Sequence, residues 1–379
     1  MMHKLFLYFF LSGVSLVCCG TDTGRHLSAS AVGGEHSLTV ETADSLHSKA
    51  GGRQAKKPDT LTIAMVGDIM MGTTFPQRAL PADDGKHLFN QVKEMLGRAD
   101  LAVGNLEGTL CDGGESTKRV SRTSYAFRTP TSYSSLLAEA GFDYLSMANN
   151  HAFDFGKGGV ESTEKALDKE NIKYSGIAGR TEWAVVERNG VTFGLCAFGH
   201  NGYTMRHNDL ALVKRVLATL KSKANVVVVS FHGGAEGSGK SRLPYGKEMF
   251  LGEDRGSLRD FAHFCVDAGA DVVYGHGPHV VRCVEVYKDR FVAYSLGNFC
   301  TPFGMNLSGI LGLAPVVQVK ISAEGKFLKG KISSFVQRKG IGPREDKTHA
   351  AARQMKRLSE MDVPQSGAQI DNEGNITRK

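Results

Sequence analysis

Five short apolar runs in this chain each end directly on a polar residue able to hold a ligand. They end at Asp68, at Asn105, at Asn150 with His151, at His232 and at His276. Glu107 and Asp154 follow a few residues on, and His279 shares the loop Gly275-His276-Gly277-Pro278-His279 with His276. Singly, a strand-end Asp or Asn reads first as a turn or cap residue. Together they form a mixed oxygen and imidazole set, suited to Zn, Mn, Fe or Mg and not to a thiolate site. One or two such divalent ions would polarise a phosphoryl or carbonyl oxygen and lower the pKa of a bound water. His151 or Glu107 could then move a proton. Asp154 and Glu236 are candidates to orient the imidazoles from behind. Arg119, Arg122, Arg128 and Arg242 lie on loops where guanidinium groups could hold an anion, although solvated surface is an equal reading for each.

The elements that must position these residues alternate along residues 59–340. Strands are expected over 61–66, 100–103, 144–147, 192–198, 225–230 and 271–274. Helical patterns fall over 88–96, 133–140, 157–169, 210–221 and 257–268. Apolar strands separated by helices argue for an α/β layered fold with covered sheet faces. Ligands in such folds gather outside the carboxyl ends of the strands, which is where the polar residues stand. After His279 the pattern turns hairpin-like, with strands expected over 281–287, 291–295, 315–321 and 327–336.

The whole chain has 379 residues, 41% of them hydrophobic and 22% charged, too apolar for disorder. Forty-six Lys and Arg against 39 Asp and Glu leave +7, spread along the chain and not gathered in a basic tail. Nucleic acid is therefore not an expected partner. Residues 1–19 carry Lys4, an apolar stretch over 5–17 and the pair Cys18-Cys19. This has the shape of an export signal, and its end resembles a bacterial lipoprotein cleavage site. Residues 20–58 read as a flexible tether, and residues 341–379 as a polar C-terminal tail. These features predict an exported protein of the cell envelope, held to the membrane by a lipid or signal anchor. Cys111, Cys196, Cys265, Cys283 and Cys300 form no close pair. Cys196 and Cys265 read as buried small hydrophobes, and a Cys283–Cys300 bridge stays open.

Six stretches resemble the capsule-synthesis protein CapA family, a branch of the calcineurin-like metallophosphoesterases. They are 66–72 (VGDIMMG), 104–107 (GNLE), 148–151 (ANNH) with Asp154 and Gly156, 232–236 (HGGAE), 275–280 (GHGPHV) and 294–299 (YSLGNF). The resemblance implies a four-layered αββα sandwich. It implies that Asp68 and His279 bind a first metal, that Asn150 is a metal ligand, and that His232 and His276 serve a second site. His151 would be the proton donor or phosphate contact, and Asn105 stands at the metal-bridging position. Two departures follow. Met70 occupies a position that is usually His in phosphoesterases, and Asn105 one that is usually a bridging Asp. Gly233 replaces a Trp common in the family. The resemblance further implies work on a capsular or envelope polymer such as poly-γ-glutamate, within a polymer-synthesis membrane complex. The ligand set itself suggests a metal-dependent phosphoesterase for a small or lipid-linked phosphate. A third reading is a non-catalytic binding module on the same fold.

Overall fold

Apolar β-branched runs build the strands, and their ends define one rim. The computed structural model describes residues 58–119, 121 and 124–379. The expected export signal 1–19, the tether up to residue 57 and Arg122 lie outside the described residues. In chain order the first sheet begins with β1 (Thr60–Ile69) and β2 (Leu101–Leu106), separated by α1 (Lys93–Gly97). Then come α2 (Ser134–Ala140), β3 (Tyr144–Ser146), α3 (Gly156–Lys169) and β4 (Lys173–Ser175). The second sheet takes β5 (Trp183–Arg188), β6 (Val191–Phe198), β7 (Val226–His232) and β8 (Val272–His276). The helices α4 (Leu210–Lys223) and α5 (Leu258–Asp267) connect these. The hairpin β9 (Val284–Tyr287) and β10 (Arg290–Ala293) completes that sheet.

The chain then returns to the first sheet through β11 (Asn298–Cys300), β12 (Val316–Ser322) and β13 (Phe327–Ser333). After α6 (Ala350–Asp362) it adds β14 (Ala368–Ile370) and β15 (Asn375–Arg378). The first sheet runs β14-β15-β13-β12-β1-β2-β3-β4, with β11 also paired to β1. The second runs β9-β10-β8-β7-β6-β5.

Alternation along each strand sorts its side chains between two cores. Met65, Val103 and Tyr144 point from the first sheet to meet Leu195, Val228 and Tyr274 of the second. On the outer face of the first sheet, Val66, Ala102 and Leu145 pack on Leu96, Leu137 and Val160 of α1, α2 and α3. Val227, Val229 and Val273 likewise meet Val213, Leu217, Phe261 and Cys265 of α4 and α5. The order helix, sheet, sheet, helix is the four-layered αββα arrangement expected. α4 shows why such a helix forms here. Val213, Val216, Leu217 and Leu220 make one buried stripe, Asp209 caps it by accepting from Leu212 N, and Lys221 and Lys223 lie in its last turn.

The segment after Ile341 differs from the polar tail expected. Its helix α6 sends Ala351, Ala352 and Met355 between the sheets, and Ile376 of β15 joins the same core. The residues read as polar are the outer face of an amphipathic helix and an edge hairpin. The helix expected over 88–96 is shorter, with regular α-helix only at Lys93–Gly97, although Leu88, Phe89, Val92 and Leu96 are all buried. All five core cysteines are buried and free, Cys283 and Cys300 included.

Candidate functional site

Parallel pairing aligns the strand ends. Asp68 stands in register with Asn105 on β2 and with Asn298 on β11. His232 and His276 stand in register on β7 and β8. Two glycines allow the close approach. A Cβ on Gly67 would lie 2.0 Å from Gly297 O, and one on Gly277, at φ +115, would lie 2.4 Å from Gly233 O.

The resulting cluster is buried and continuous. Asn105 Nδ2 donates to Asp68 Oδ1 at 2.9 Å and to Glu107 Oε2 at 2.7 Å. His279 Nδ1 lies 3.0 Å from Asp68 Oδ2, and His276 Nδ1 lies 3.2 Å from Asp68 Oδ1. His232 Nε2 lies 3.3 Å from Glu107 Oε2. Asn149 Nδ2 donates to Asn105 Oδ1 at 3.0 Å, and Asn149 Oδ1 accepts from His151 N. His151 Nδ1 in turn lies 2.9 Å from Asp154 Oδ2, and its ring lies 4.4 Å from that of Phe127. Lys118 Nζ closes this side, 2.7 Å from Asp154 Oδ1 and 2.7 Å from Asn150 O.

The electrostatics follow from burial and proximity. Burial raises the Asp68 carboxyl, but the imidazoles of His276 and His279 outweigh it and hold the group far below the usual carboxylate range. Burial also raises Glu107, yet His232, against the opposing charge of Asp68, brings it below its ordinary value. Burial lowers His279, while Asp68, Glu107 and Glu236 push it up to about 10. His200, stacked 5.9 Å from His232, is lowered to about 2 by burial and the neighbouring imidazole.

The sequence now finds its relatives. The family model described as "Bacterial capsule synthesis protein PGA_cap" matches residues 62–302. The chain belongs to this family. It is similar to "PGA biosynthesis protein CapA" of Bacillus subtilis (strain 168), 27% identical over 256 residues, covering 64% of this chain and 63% of that one. The "Capsule biosynthesis protein CapA" of Bacillus anthracis is 28% identical over 262 residues, covering 64% and 60%. The chain thus spans less than two thirds of the length of both relatives. Among solved structures, a hypothetical protein from Thermus thermophilus aligns with a TM-score of 0.45 at 18% identity, over 74% of this chain and all of that one.

Of the candidate residues named from the sequence, the fold brings Asp68, Asn105, Glu107, His232, His276 and His279 into one cluster. His151 and Asp154 pair beside it. Asn150 does not bond into the cluster; Asn149 does, while Asn150 Oδ1 is buried without a partner. Glu236 lies 4.0 Å from His279 Nε2 and pairs with Arg255. Arg242 binds Asp362 at the end of α6, and Arg128 lies against both Phe75 and Phe155, 5.6 and 5.3 Å from their ring centroids. Arg119 is exposed.

A divalent ion fits this donor set in kind. Both ring nitrogens of His232 and of His276, with Glu107 Oε1, are buried without a well-formed hydrogen bond. Such orphaned buried groups are costly unless a ligand engages them. Among the described residues, however, no three His, Cys, Asp or Glu surround a common point for a metal ion. The donors contact one another instead, so they would have to part to admit one. Sequence reasoning assigned no site role to Lys118, nor to Asn149 and Asn298, although the last two stand in the stretches 148–151 and 294–299. Asn149 had a signal, being the neighbour of Asn150; Lys118, on a long loop, had none.

Proposed function

We propose that this protein acts in the synthesis, export or anchoring of a capsular or envelope polymer such as poly-γ-glutamate, through a metal-dependent site at this rim. One observation carries the reading: Asp68, Glu107, His232, His276 and His279 share one buried cluster in which both ring nitrogens of His232 and of His276 lack a well-formed hydrogen bond. Asp68, Asn105, Asn150, His232, His276 and His279 would hold one or two divalent ions, of Mn, Zn, Fe or Mg type. When bound, such an ion polarises a phosphoryl or carbonyl oxygen and activates water. His151, held at Nδ1 by Asp154, presents Nε2 for proton transfer, and Glu107 is the second candidate base. Asp154 and Glu236 orient the imidazoles. Charge supports the need for a cation. Asp68, Glu107, Asp154, Glu236 and Glu253 gather here against Lys118, Arg255 and the protonated His279, so the metal-free site keeps an excess of negative charge that disfavours an anionic substrate.

The His151–Asp154 pair favours a second reading on the same site, a phosphoesterase for a small or lipid-linked phosphate. The direct carboxylate–imidazole contacts, with Asn105 at the bridging position, favour a third, a non-catalytic binding module. We further propose export and membrane anchoring, on the pattern of residues 1–19. Among the described residues no helix is long and apolar enough to cross a membrane. The purified full chain would be titrated with Mn2+ and Zn2+, then assayed on phosphomonoesters, phosphodiesters and polyglutamate. Metal binding that Asp68→Ala and His279→Ala abolish is the expected result. No metal uptake, with both variants behaving as wild type, would leave only the binding-module reading.

A further inference from the structure

Two cavities adjoin at the candidate site, and their walls differ in chemistry. One, of about 410 Å3, has an apolar side of Tyr125, Phe127, Met305 and Leu311, a polar side of Glu236, Ser238 and Asn306, and His151 and His279 at its base. The other, of about 520 Å3, is walled by Lys118, Asn150, Asn201, Tyr203, Glu253 and Arg255. Tyr125, His151, Glu236 and Phe250 line both, so His151 and Glu236 sit at the waist between the more apolar lobe and a lobe bearing Lys118, Glu253 and Arg255.

The apolar lobe is built and held. Phe127 packs on the His151 ring at 4.4 Å and stacks with Tyr125 at 6.4 Å. Asn298 Nδ2 donates to Leu311 O at 3.1 Å and to His279 O at 3.3 Å, tying the lobe's wall to the His279 loop. A Cβ on Gly304 would lie 2.9 Å from both Met70 Cε and Phe127 Cε1. Met70 therefore packs behind this wall, where an imidazole would have brought polarity. The missing Trp at residue 233 is likewise accounted for. A Cβ on Gly233 would lie 2.6 Å from Arg255 O, and the aromatic walls come from Tyr125, Phe127 and Phe250 instead. At the rim of the second lobe, the tight turn 249–254, closed by Met249 pairing with Asp254, exposes Met249 (55%) and Leu251 (71%).

We propose that the ligand of this site carries an apolar group, aryl or alkyl, directly beside the anionic group that meets His151. The inference rests on the metal-site reading above. A cavity of this size takes such a group, and its walls lose bound water when it enters. The charged lobe takes the remaining polar part of the molecule through hydrogen bonds from Lys118 and Asn201.

The test uses the full chain loaded with Mn2+, whose binding is read separately by electron paramagnetic resonance. Calorimetry then compares 1-naphthylphosphonate with methylphosphonate. The expected result is at least ten-fold tighter binding of the naphthyl probe, about 1.4 kcal/mol. Met305→Glu and Leu311→Ser, both in the apolar wall, should each cut that preference to two-fold or less while Mn2+ still binds. Glu253→Gln, in the charged lobe, should keep it. Equal affinity for the two probes in the Mn2+-loaded wild type overturns this inference and leaves the metal site standing. A loss of preference in Glu253→Gln as large as in Met305→Glu overturns it too, by placing the naphthyl group in the other lobe. Absence of Mn2+ binding overturns both readings together.

Discussion

Asn105 Nδ2 lies 2.9 Å from Asp68 Oδ1, joining the ends of two adjacent parallel strands. The same amide nitrogen donates to Glu107 Oε2 at 2.7 Å. A neutral amide thus spaces two buried carboxylates and adds no charge of its own. Asn105→Asp would place a third buried carboxylate against them, with nothing to donate between. In metal-free buffer this should cost roughly 3–5 kcal/mol, the range for an uncompensated buried charge. Mn2+ should restore much of the loss, because the new carboxylate would be a metal ligand. Thermal melts of both proteins in EDTA and in Mn2+ decide the matter. An unchanged melting temperature in EDTA would show that the amide is not acting as this spacer.

Much of the site was legible because apolar strands ending on Asp, Asn or His are visible in the primary structure. Asp68, Asn105, His232 and His276 were readable for that reason. Periodicity could not show that β7 belongs to a second sheet. Its seven residues are all buried, so no alternation marks one face. Asn149 and Asn150 are equal in sequence, and only the turn after β3 decides which side chain reaches Asn105. Lys118 was hidden for a different reason. It approaches Asp154 from a loop 36 residues away, a closeness that no local pattern encodes.

A buried ion pair anchors the loop that carries Glu236 and Phe250. Arg282 donates from Nη1 and Nη2 to the two oxygens of Glu248, at 2.7 and 2.8 Å, and from Nε to Lys240 O at 3.0 Å. Glu248 Oε2 also accepts from Ala235 N. Arg282→Met would leave Glu248 buried and unpaired, at a cost of about 3–5 kcal/mol. The double variant Arg282→Met with Glu248→Leu should recover most of that. Urea denaturation of the two single variants and the double gives the coupling directly. Strict additivity would mean that the pair does not hold the loop.

Acid should weaken the fold through a buried imidazole. His207 is held neutral by burial, its pKa lowered to about 4 from an ordinary 6.5. Above pH 6.5 neither state is protonated there, so stability is unaffected. Between pH 6.5 and 4 the unfolded chain takes up a proton that the folded one refuses, and stability falls. The loss levels off below pH 4 at roughly 3 kcal/mol. His207→Phe keeps a ring against Phe261, 5.8 Å away, and removes the titration. Urea midpoints measured from pH 7 to pH 4 should slope less steeply in His207→Phe than in the wild type. Parallel slopes would assign the acid sensitivity to other groups.

The C-terminal segment makes the strongest claim about stability. β15 pairs with β13 through Lys329–Thr377, Gly330–Ile376 and Lys331–Asn375, and β14 pairs outside it. α6 spans from this edge to the edge of the second sheet, with Ser334 Oγ, just after β13, accepting from Ala352 N and Ser359 Oγ accepting from Val284 N of β9. Ending the chain at Ile341 would strip Ala351, Ala352, Met355 and Ile376 from the core between the sheets. It would also leave β13 as an unpaired edge, with Phe327 and Ile332 newly open to water. Each large side chain lost from a core costs a few kcal/mol, so several exceed the stability typical of a domain. The truncated chain should therefore be insoluble, or be digested by protease under conditions that leave the full chain intact. A truncated chain that resists protease as well as the full one would return residues 342–379 to the status of a dispensable tail.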